Sequence, residues 1–451
     1  MNSTTMCSLV RDDFLDDAVK IRQLGKGNYG NVYLIQKPDG RHYAIKYMDI
    51  DTEGVPQSTL LDIDALLRLQ NVPDVIDVIG ICYETNRIAL ILEAMDTDLR
   101  NFIDRTPIND RITLTRKLLN VLIRVAALME TLNITHFDIK PQNILVKGTE
   151  FKVTDFGLAK PKFGSNVVPT DEVYTLWYRP PEFLADRDRT TFQIFSGDIW
   201  AIGITVLEFI IGRPVFQGHN IDDMLRLIYN SSRLASMTRE TFDIAITNGT
   251  ITGNVLINIP QVNPQITSML SRMLLLNPND RPTGIQLFNS ESSNVNPDFL
   301  STLLQPLYPR RIHGKTISIM IQVCQLLRLS RASILIAIEI FTRYLDMLSL
   351  NLDQDIHIRA LSSVKIAREF TEINPGYIYQ ILNAYREIYG FKYIISNARI
   401  IEMEKNILNR INFQIYNLNL GPVIERAYSK NIDLFDVDVN QFAEPLFRWL
   451  I

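Results

Sequence analysis

Two carboxylates, an amide and an ammonium group stand close together in His136-Phe137-Asp138-Ile139-Lys140-Pro141-Gln142-Asn143 and the following Asp155-Phe156-Gly157. In this order they point to one chemistry, phosphoryl transfer from ATP. Upstream, Gly25-Lys26-Gly27-Asn28-Tyr29-Gly30-Asn31-Val32 fits G-x-G-x-x-G-x-V, in which glycines let backbone amides approach phosphates that a Cβ would keep away. Ala44-Ile45-Lys46 then puts an ammonium group where it could meet phosphate oxygens. Singly, each of these has a blander meaning. An Asp or Asn is more often a helix cap or turn former, a strand lysine is usually solvated, and G-x-G-x-x-G also opens dinucleotide folds, where it links strand to helix. Here the glycines link strand to strand, and the joint order of the motifs outweighs each bland reading.

The elements that must position these groups follow from patterning. Val19 to Leu24, Val32 to Gln36 and Tyr43 to Met48 are short β-rich runs broken by the glycine turn and by Lys37-Pro38-Asp39-Gly40, which predicts an antiparallel start. Ile88 to Glu93 is also strand-like, whereas residues 112–290 have mostly helical apolar spacing apart from loops around 136–182. A Ser-, Asn- and Pro-rich stretch from Asn289 to Thr316 predicts a boundary. Beyond it Ile317 to Leu327, Ala332 to Leu348, Ile358 to Phe370, Ile378 to Tyr389 and Ala398 to Ile411 have the periodicity of bundle helices.

Bulk composition sets the limits. A chain of 451 residues exceeds what one core normally supports, so two or more domains are expected. A net charge of −4 gives no global pull toward nucleic acid or anionic membrane. Cys7, Cys82 and Cys324 form no CxxC or Cys/His cluster, which argues against a disulfide framework or zinc site. The acidic start (Asp12, Asp13, Asp16, Asp17) is unlike a leader, so an intracellular, soluble protein, cytoplasmic or nuclear, is expected.

The chain resembles protein kinases over about residues 17 to 300. His136-x-Asp138, Asn143, Asp155-Phe156-Gly157, Pro180-Pro181-Glu182, Asp198-Ile199-Trp200 and Arg281 come in that family's order, Arg281 being placed to pair with Glu182. The resemblance implies that Asp138 accepts the substrate hydroxyl proton, Lys140 steadies the γ-phosphate, Lys46 binds the α- and β-phosphates, and Asn143 with Asp155 holds Mg2+. Thr175 joins the catalytic set. Gly25, Gly27, Gly30, Val32, Ala44, Asp98 and Leu145 are assigned to ATP, with Glu93 to Met95 offering backbone hydrogen bonds to adenine. Pro56-Gln57-Ser58-Thr59-Leu60-Leu61-Asp62-Ile63 and Val173-Tyr174-Thr175-Leu176-Trp177-Tyr178-Arg179 resemble the cyclin-contacting helix and the substrate-docking stretch of cyclin-dependent kinases, of the CMGC group. Proline-directed Ser/Thr specificity is implied, with Arg179 and Tyr174 on the substrate side.

Residues 313 to 417 resemble a cyclin box, carried by Ala337 to Leu348, Ala360 to Pro375 and Glu402 through Phe413. The expected fold is therefore α+β: a bilobal kinase (extension 1–18, small β-rich lobe 19–94, large helical lobe 95–300), a linker 301–312, an all-α cyclin-like five-helix domain 313–417 and a helical tail 418–451. A generic helical extension is the bland alternative.

Several positions depart from the family. Asp62 stands where a Glu pairs with the strand lysine, so a strained Asp62–Lys46 pair is expected. Leu61, Phe137 and Lys160 replace three arginines that bind a phosphorylated threonine, here Thr170, and Lys160 lacks the bidentate fork of Arg. Activation independent of Thr170 is the expectation, with the tethered box setting the helix of Asp62, and packing by Leu61 and Phe137 replacing the ionic latch; a tether supplies an effective concentration on the order of mM. Tyr29 remains open to inhibitory modification. Glu369 replaces a cyclin lysine whose partner acid, Glu404, is kept, which leaves Lys365 or Arg368 as substitute. The linker allows docking on the same chain or, as a domain-swapped dimer, on a neighbour. Two rivals stay open: a kinase needing an external cyclin, with the tail as recruitment module, and a pseudokinase scaffold.

Overall fold

In the computed structural model the described residues are 13–27, 30–84, 86–161, 173–185, 194–232, 237–248, 250–255, 257–291, 314–348, 355–372, 375–389 and 395–415. The chain opens with strands β1 (Val19–Gly27), β2 (Gly30–Gln36) and β3 (His42–Asp49), helix α1 (Gln57–Arg68), and strands β4 (Val78–Glu84) and β5 (Arg87–Glu93). There follow β6 (Thr97–Asp98), α2 (Leu99–Arg105), α3 (Ile108–Thr131), β7 (Ile134–Thr135), a 3-10 turn (Pro141–Asn143), β8 (Ile144–Lys147), β9 (Glu150–Val153) and β10 (Lys160–Pro161). Helices α4 (Pro181–Ala185), α5 (Ile194–Ile211), α6 (Ile221–Ser231), α7 (Arg239–Thr247), α8 (Pro264–Met273) and α9 (Gly284–Glu291) come next. The last elements are α10 (Gly314–Leu326), α11 (Arg331–Asp346), α12 (Ile356–Thr371), α13 (Ile378–Tyr389) and α14 (Asn397–Arg410).

Two compact units result. One comprises described residues within Met1–Gln70, Asp77–Ala94 and Thr302–Ile451, the other those within Asn71–Ile76 and Met95–Ser301. The first-lobe sheet thus groups with the C-terminal helices.

In the first unit β1 to β5 form an antiparallel sheet of order β1-β2-β3-β5-β4. Alternation along β2, β3 and β5 buries Ile35, Ile45, Tyr47, Ala89 and Ile91 with Cys82 of β4, and Phe14, Tyr33 and Tyr43 pack against that cluster. The strand β4 was not expected from patterning: Gly80 breaks its alternation and the ladder shifts register between Val78 and Gly80. The helices of this unit surround α12, which is buried almost all round from Ile356 to Phe370 and packs on α10, α11, α13, α14 and α1. Ser330 and Ser396 cap α11 and α14 through Ser333 N (3.2 Å) and Arg399 N (3.4 Å). The expected bundle helices are present, that from Ile378 to Tyr389 with its expected ends and the other four with ends shifted by one to three residues.

In the second unit α5 is apolar on nearly every side and carries two buried acids, Glu208, which accepts from Arg100 and Tyr178, and Asp198, which faces the loop after β7. The strands β6, β8 and β9 form a small antiparallel sheet, and β10 pairs with β7. Residues 71–76 belong here because Asp74 takes Arg124 Nε (2.6 Å) and Val153 N donates to Asp74 O (2.8 Å). No helix among the described residues is long and apolar enough to cross a membrane.

Candidate active site

The second unit assembles the loop 136–143 around two carboxylates. Asp198, buried on α5, accepts the backbone N–H groups of His136 (2.7 Å) and Phe137 (3.0 Å), which fixes the loop from beneath. Burial pushes this carboxyl up, while His136 and the bonds it accepts pull the other way. His136 contributes its ring, Nδ1 accepting Asp138 N (3.2 Å) and Nε2 facing Thr154 O (3.2 Å). That pairing assigns the proton to Nε2.

Asp138 is nearly buried and almost fully engaged. Its Oδ2 accepts from Lys140 Nζ (2.7 Å) and Asn143 Nδ2 (3.0 Å), and its Oδ1 accepts from Thr175 Oγ1 (2.8 Å) and Thr175 N (3.2 Å). Lys140 Nζ also reaches Thr175 Oγ1 at 2.8 Å. Thus Asp138, Lys140, Asn143 and Thr175 meet at one point. The 3-10 turn leads Asn143 into the β8–β9 hairpin, whose register sets Thr154 N on Asn143 O (3.0 Å) and brings Asp155 alongside. Asp155 holds φ 65°, an αL value that Asp tolerates better than bulkier residues. Because Asn143 Nδ2 is spent on Asp138, its amide oxygen is the atom left for a ligand, and an amide and a carboxylate are the hard oxygen donors that Mg2+ takes alongside water and phosphate.

Other expected site residues of this unit are placed as follows. Asp98 caps α2, accepting from Asn101 N (2.8 Å) and Asn101 Nδ2 (2.6 Å), and Leu145 lies half-buried in β8. Arg179 gives Nη2 (3.0 Å) and Nε (3.3 Å) to the carbonyl of Tyr174. Glu182 and Arg281 form a bidentate pair (2.6 and 2.7 Å), both wholly buried, and Arg281 spends further N–H groups on the carbonyls of Leu275, Leu276 and Ser196. Phe137 is buried with φ 63° and packs edge-on against Tyr174 (5.5 Å between centroids) and Phe183 (6.5 Å). Lys160 pairs with Thr135 through its backbone. Thr170 and Tyr29 lie outside the described residues.

The first unit holds the remaining groups. Gly30 (φ 140°) could carry no side chain, since a Cβ would sit 1.8 Å from Tyr47 O, whereas at Gly25 a Cβ would meet nothing within 4 Å. Val32 pairs with Lys46 across β2 and β3, and Ala44 with Leu92 across β3 and β5. Lys46 Nζ bonds Asp62 Oδ2 at 2.8 Å, both nearly buried, so the shorter acid reaches its lysine. Glu93 ends β5 with Oε1 accepting Asp77 N (3.0 Å), and Met95 begins the second unit's segment.

The helix that carries Asp62 is gripped by the C-terminal bundle. Lys365 on α12 pairs with Glu404 on α14 at 2.7 Å, both side chains at 0% exposure, and Glu404 Oε2 accepts Val55 N (3.3 Å). Of the two candidates to replace the lost lysine, it is thus Lys365, one helical turn before Glu369, that serves Glu404. Gln57 Nε2 donates to the carbonyls of Glu369 (2.5 Å) and Glu372 (2.7 Å), Ile378 N donates to Glu53 Oε2 (2.6 Å), and Ile415 N donates to Asp64 Oδ1 (2.9 Å). Tyr83 stacks on Phe413 at 5.8 Å. Burial pushes the Glu369 carboxyl up to about 7, Glu404 and Asp51 adding to the rise while Lys365 and Arg368 oppose it. Gln57 lies in the stretch that resembles a cyclin-contacting helix, whereas Glu53, Gly54 and Asp64 are not singled out by sequence.

Residues 18–292 match the protein kinase domain family, more than half of the chain, and residues 286–416 match the cyclin N-terminal domain family. The chain belongs to the protein kinases and carries a cyclin domain after its kinase domain. A protein kinase domain implies ATP, a divalent metal and protein substrates.

Proposed function

We propose that the chain is an ATP- and Mg2+-dependent, proline-directed Ser/Thr kinase of the cyclin-dependent type, activated in cis by its own cyclin box. The grip of the box on α1 carries this reading. The same helix presents Asp62 to Lys46 (2.8 Å), so whatever fixes α1 fixes the lysine meant for the α- and β-phosphates. Asp138 takes the substrate hydroxyl proton, and Lys140 steadies the transferring group. Bound through Asn143 and Asp155, Mg2+ supplies neutralisation of the charge that develops on the phosphates. Thr175 holds the substrate-side stretch to Asp138 through two bonds (2.8 and 3.2 Å). Arg179 already saturates the carbonyl of Tyr174, so a substrate N–H aimed there finds no acceptor, and proline has none to satisfy.

Incorporation of labelled phosphate into a Ser-Pro peptide by the full chain tests the reading. Asp138→Asn should abolish it, and ending the chain near residue 310 should remove basal activity. A truncated chain as active as the full one would refute activation by the box, and no incorporation at saturating ATP and Mg2+ would favour a scaffold.

A further inference from the structure

Tyr174 is a bulky residue at φ 57°, in the left-handed region, and it is wholly buried. Such a conformation persists only where surroundings over-determine it. Its N–H donates to Phe137 O (2.8 Å), its carbonyl accepts from Arg179, and its phenol donates to Asp198 Oδ1 (3.2 Å). The ring stands edge-on to Phe137 (5.5 Å) and Phe183 (5.1 Å). Room for the phenol comes from Gly197, where a Cβ would lie 2.2 Å from the Tyr174 oxygen.

One carboxylate therefore fixes two segments. Asp198 receives His136 N and Phe137 N from the catalytic loop, and the Tyr174 phenol from the stretch that carries Thr175 and Arg179. The neighbour of Tyr174, Thr175, is bonded twice to Asp138, so a slip of Tyr174 would be felt at the reacting carboxylate.

We propose that Tyr174 is a positioning residue that locks the substrate-side stretch to the catalytic loop through Asp198, giving an aligned site without phosphorylation of the activation segment. This rests on the kinase reading above. It adds a specific group to the packing of Phe137: a phenol on a shared carboxylate takes the place of an ionic latch.

A test of alignment has a signature that simple destabilisation lacks. The phenol is one of the groups that lower the Asp198 carboxyl, together with His136 and the two backbone donors, while the charges of Glu182 and Arg281 act on Tyr174 in opposite directions. Without the phenol Asp198 takes up its proton at higher pH, and a protonated acid cannot accept all of its donors. The acid limb of kcat should then move upward.

The experiment uses the full chain, treated with phosphatase, on a Ser-Pro peptide with ATP and Mg2+. Wild type should keep its rate after phosphatase. Tyr174→Phe, which keeps the ring and its packing, should lose about ten- to a hundredfold in kcat with the KM for ATP unchanged and the acid limb shifted up. Gly197→Ala should reproduce this by crowding the phenol. A Tyr174→Phe enzyme with wild-type kcat and pH profile overturns the proposal, as does a wild type inactivated by phosphatase; a wild type inactive before treatment overturns the kinase reading instead, and this inference with it.

Discussion

Lys365→Met removes one partner of a wholly buried ion pair and leaves Glu404 with the Val55 N–H at 3.3 Å. Breaking such a pair from one side costs about 3–5 kcal/mol, or roughly 10²- to 10⁴-fold, shared between the bundle that holds both side chains and the contact of Glu404 with Val55 ahead of α1. Tethering supplies an effective concentration on the order of mM, so occupancy survives part of this loss and the effect shows first in the dynamics of α1. Hydrogen exchange of the α1 amides is the assay, with those of α11 as internal reference, because Lys365 and Glu404 also stabilise the bundle itself. Protection over α1 should fall by up to that factor and by more than over α11, with a smaller drop in kcat. Lys365→Met combined with Glu404→Met should recover most of the loss and keep a deficit of about 1 kcal/mol for the missing Val55 acceptor. Unchanged α1 protection in the single variant, equal losses in α1 and α11, or a double variant that simply adds the two singles would refute the reasoning.

Gly54 has φ 102°, and a Cβ there would lie 2.1 Å from Glu404 Oε2 and 2.7 Å from Lys365 Nζ. Gly54→Ala should therefore cost about 1–3 kcal/mol for the backbone alone, displace the ion pair, and lower both the unfolding midpoint and kcat; wild-type values for both would contradict the contact. Glu369 titrates near 7 in the fold against 4.5 normally, so the native state holds a proton over that window that the unfolded state has released. Stability then falls as pH rises from 4.5 to 7 and levels off above, by about 3 kcal/mol in all, and urea unfolding of Glu369→Gln at pH 5 and pH 8 should show that slope removed.

How far the site can be read from sequence depends on how its parts are joined. Asp138, Lys140 and Asn143 share one tight loop, so their spacing alone brings their side chains together, and Asp155 follows by a short hairpin. The Lys46–Asp62 pair could be named from motif order, and at 2.8 Å the shorter acid spans the gap to its lysine. Beyond such short connections legibility fails. Whether Lys365 or Arg368 would serve Glu404 turns on which way α12 is rotated, and both are buried on that helix; Arg368 faces Gln380 at 3.5 Å instead. Tyr174 and Asp198 are far apart in sequence, and their bond needs both a positive φ and the absence of a side chain at residue 197. Asp98 shows the reverse limit, since its cap on Asn101 is the commoner fate of an Asp before a helix.

Helix α1 depends on the C-terminal helices for part of its hydrogen bonding. It is only twelve residues long, has no side-chain cap at its start and no acid in its first turn, and buries Asp62 and Asp64 along with its leucines. A helix this short is marginal alone, and two buried carboxylates make it worse unless both are paired. Asp62 finds Lys46 within the sheet-bearing lobe; Asp64 binds Arg68 Nε at 2.7 Å and takes the backbone N–H of Ile415 at 2.9 Å from the end of the bundle. One of its two acids is therefore satisfied in part by the box, and the approach to its first turn is held there by Val55 and Gln57. Under the proposed activation in cis, ordering of α1 and docking of the box are a single event, and the Lys46–Asp62 pair comes with it.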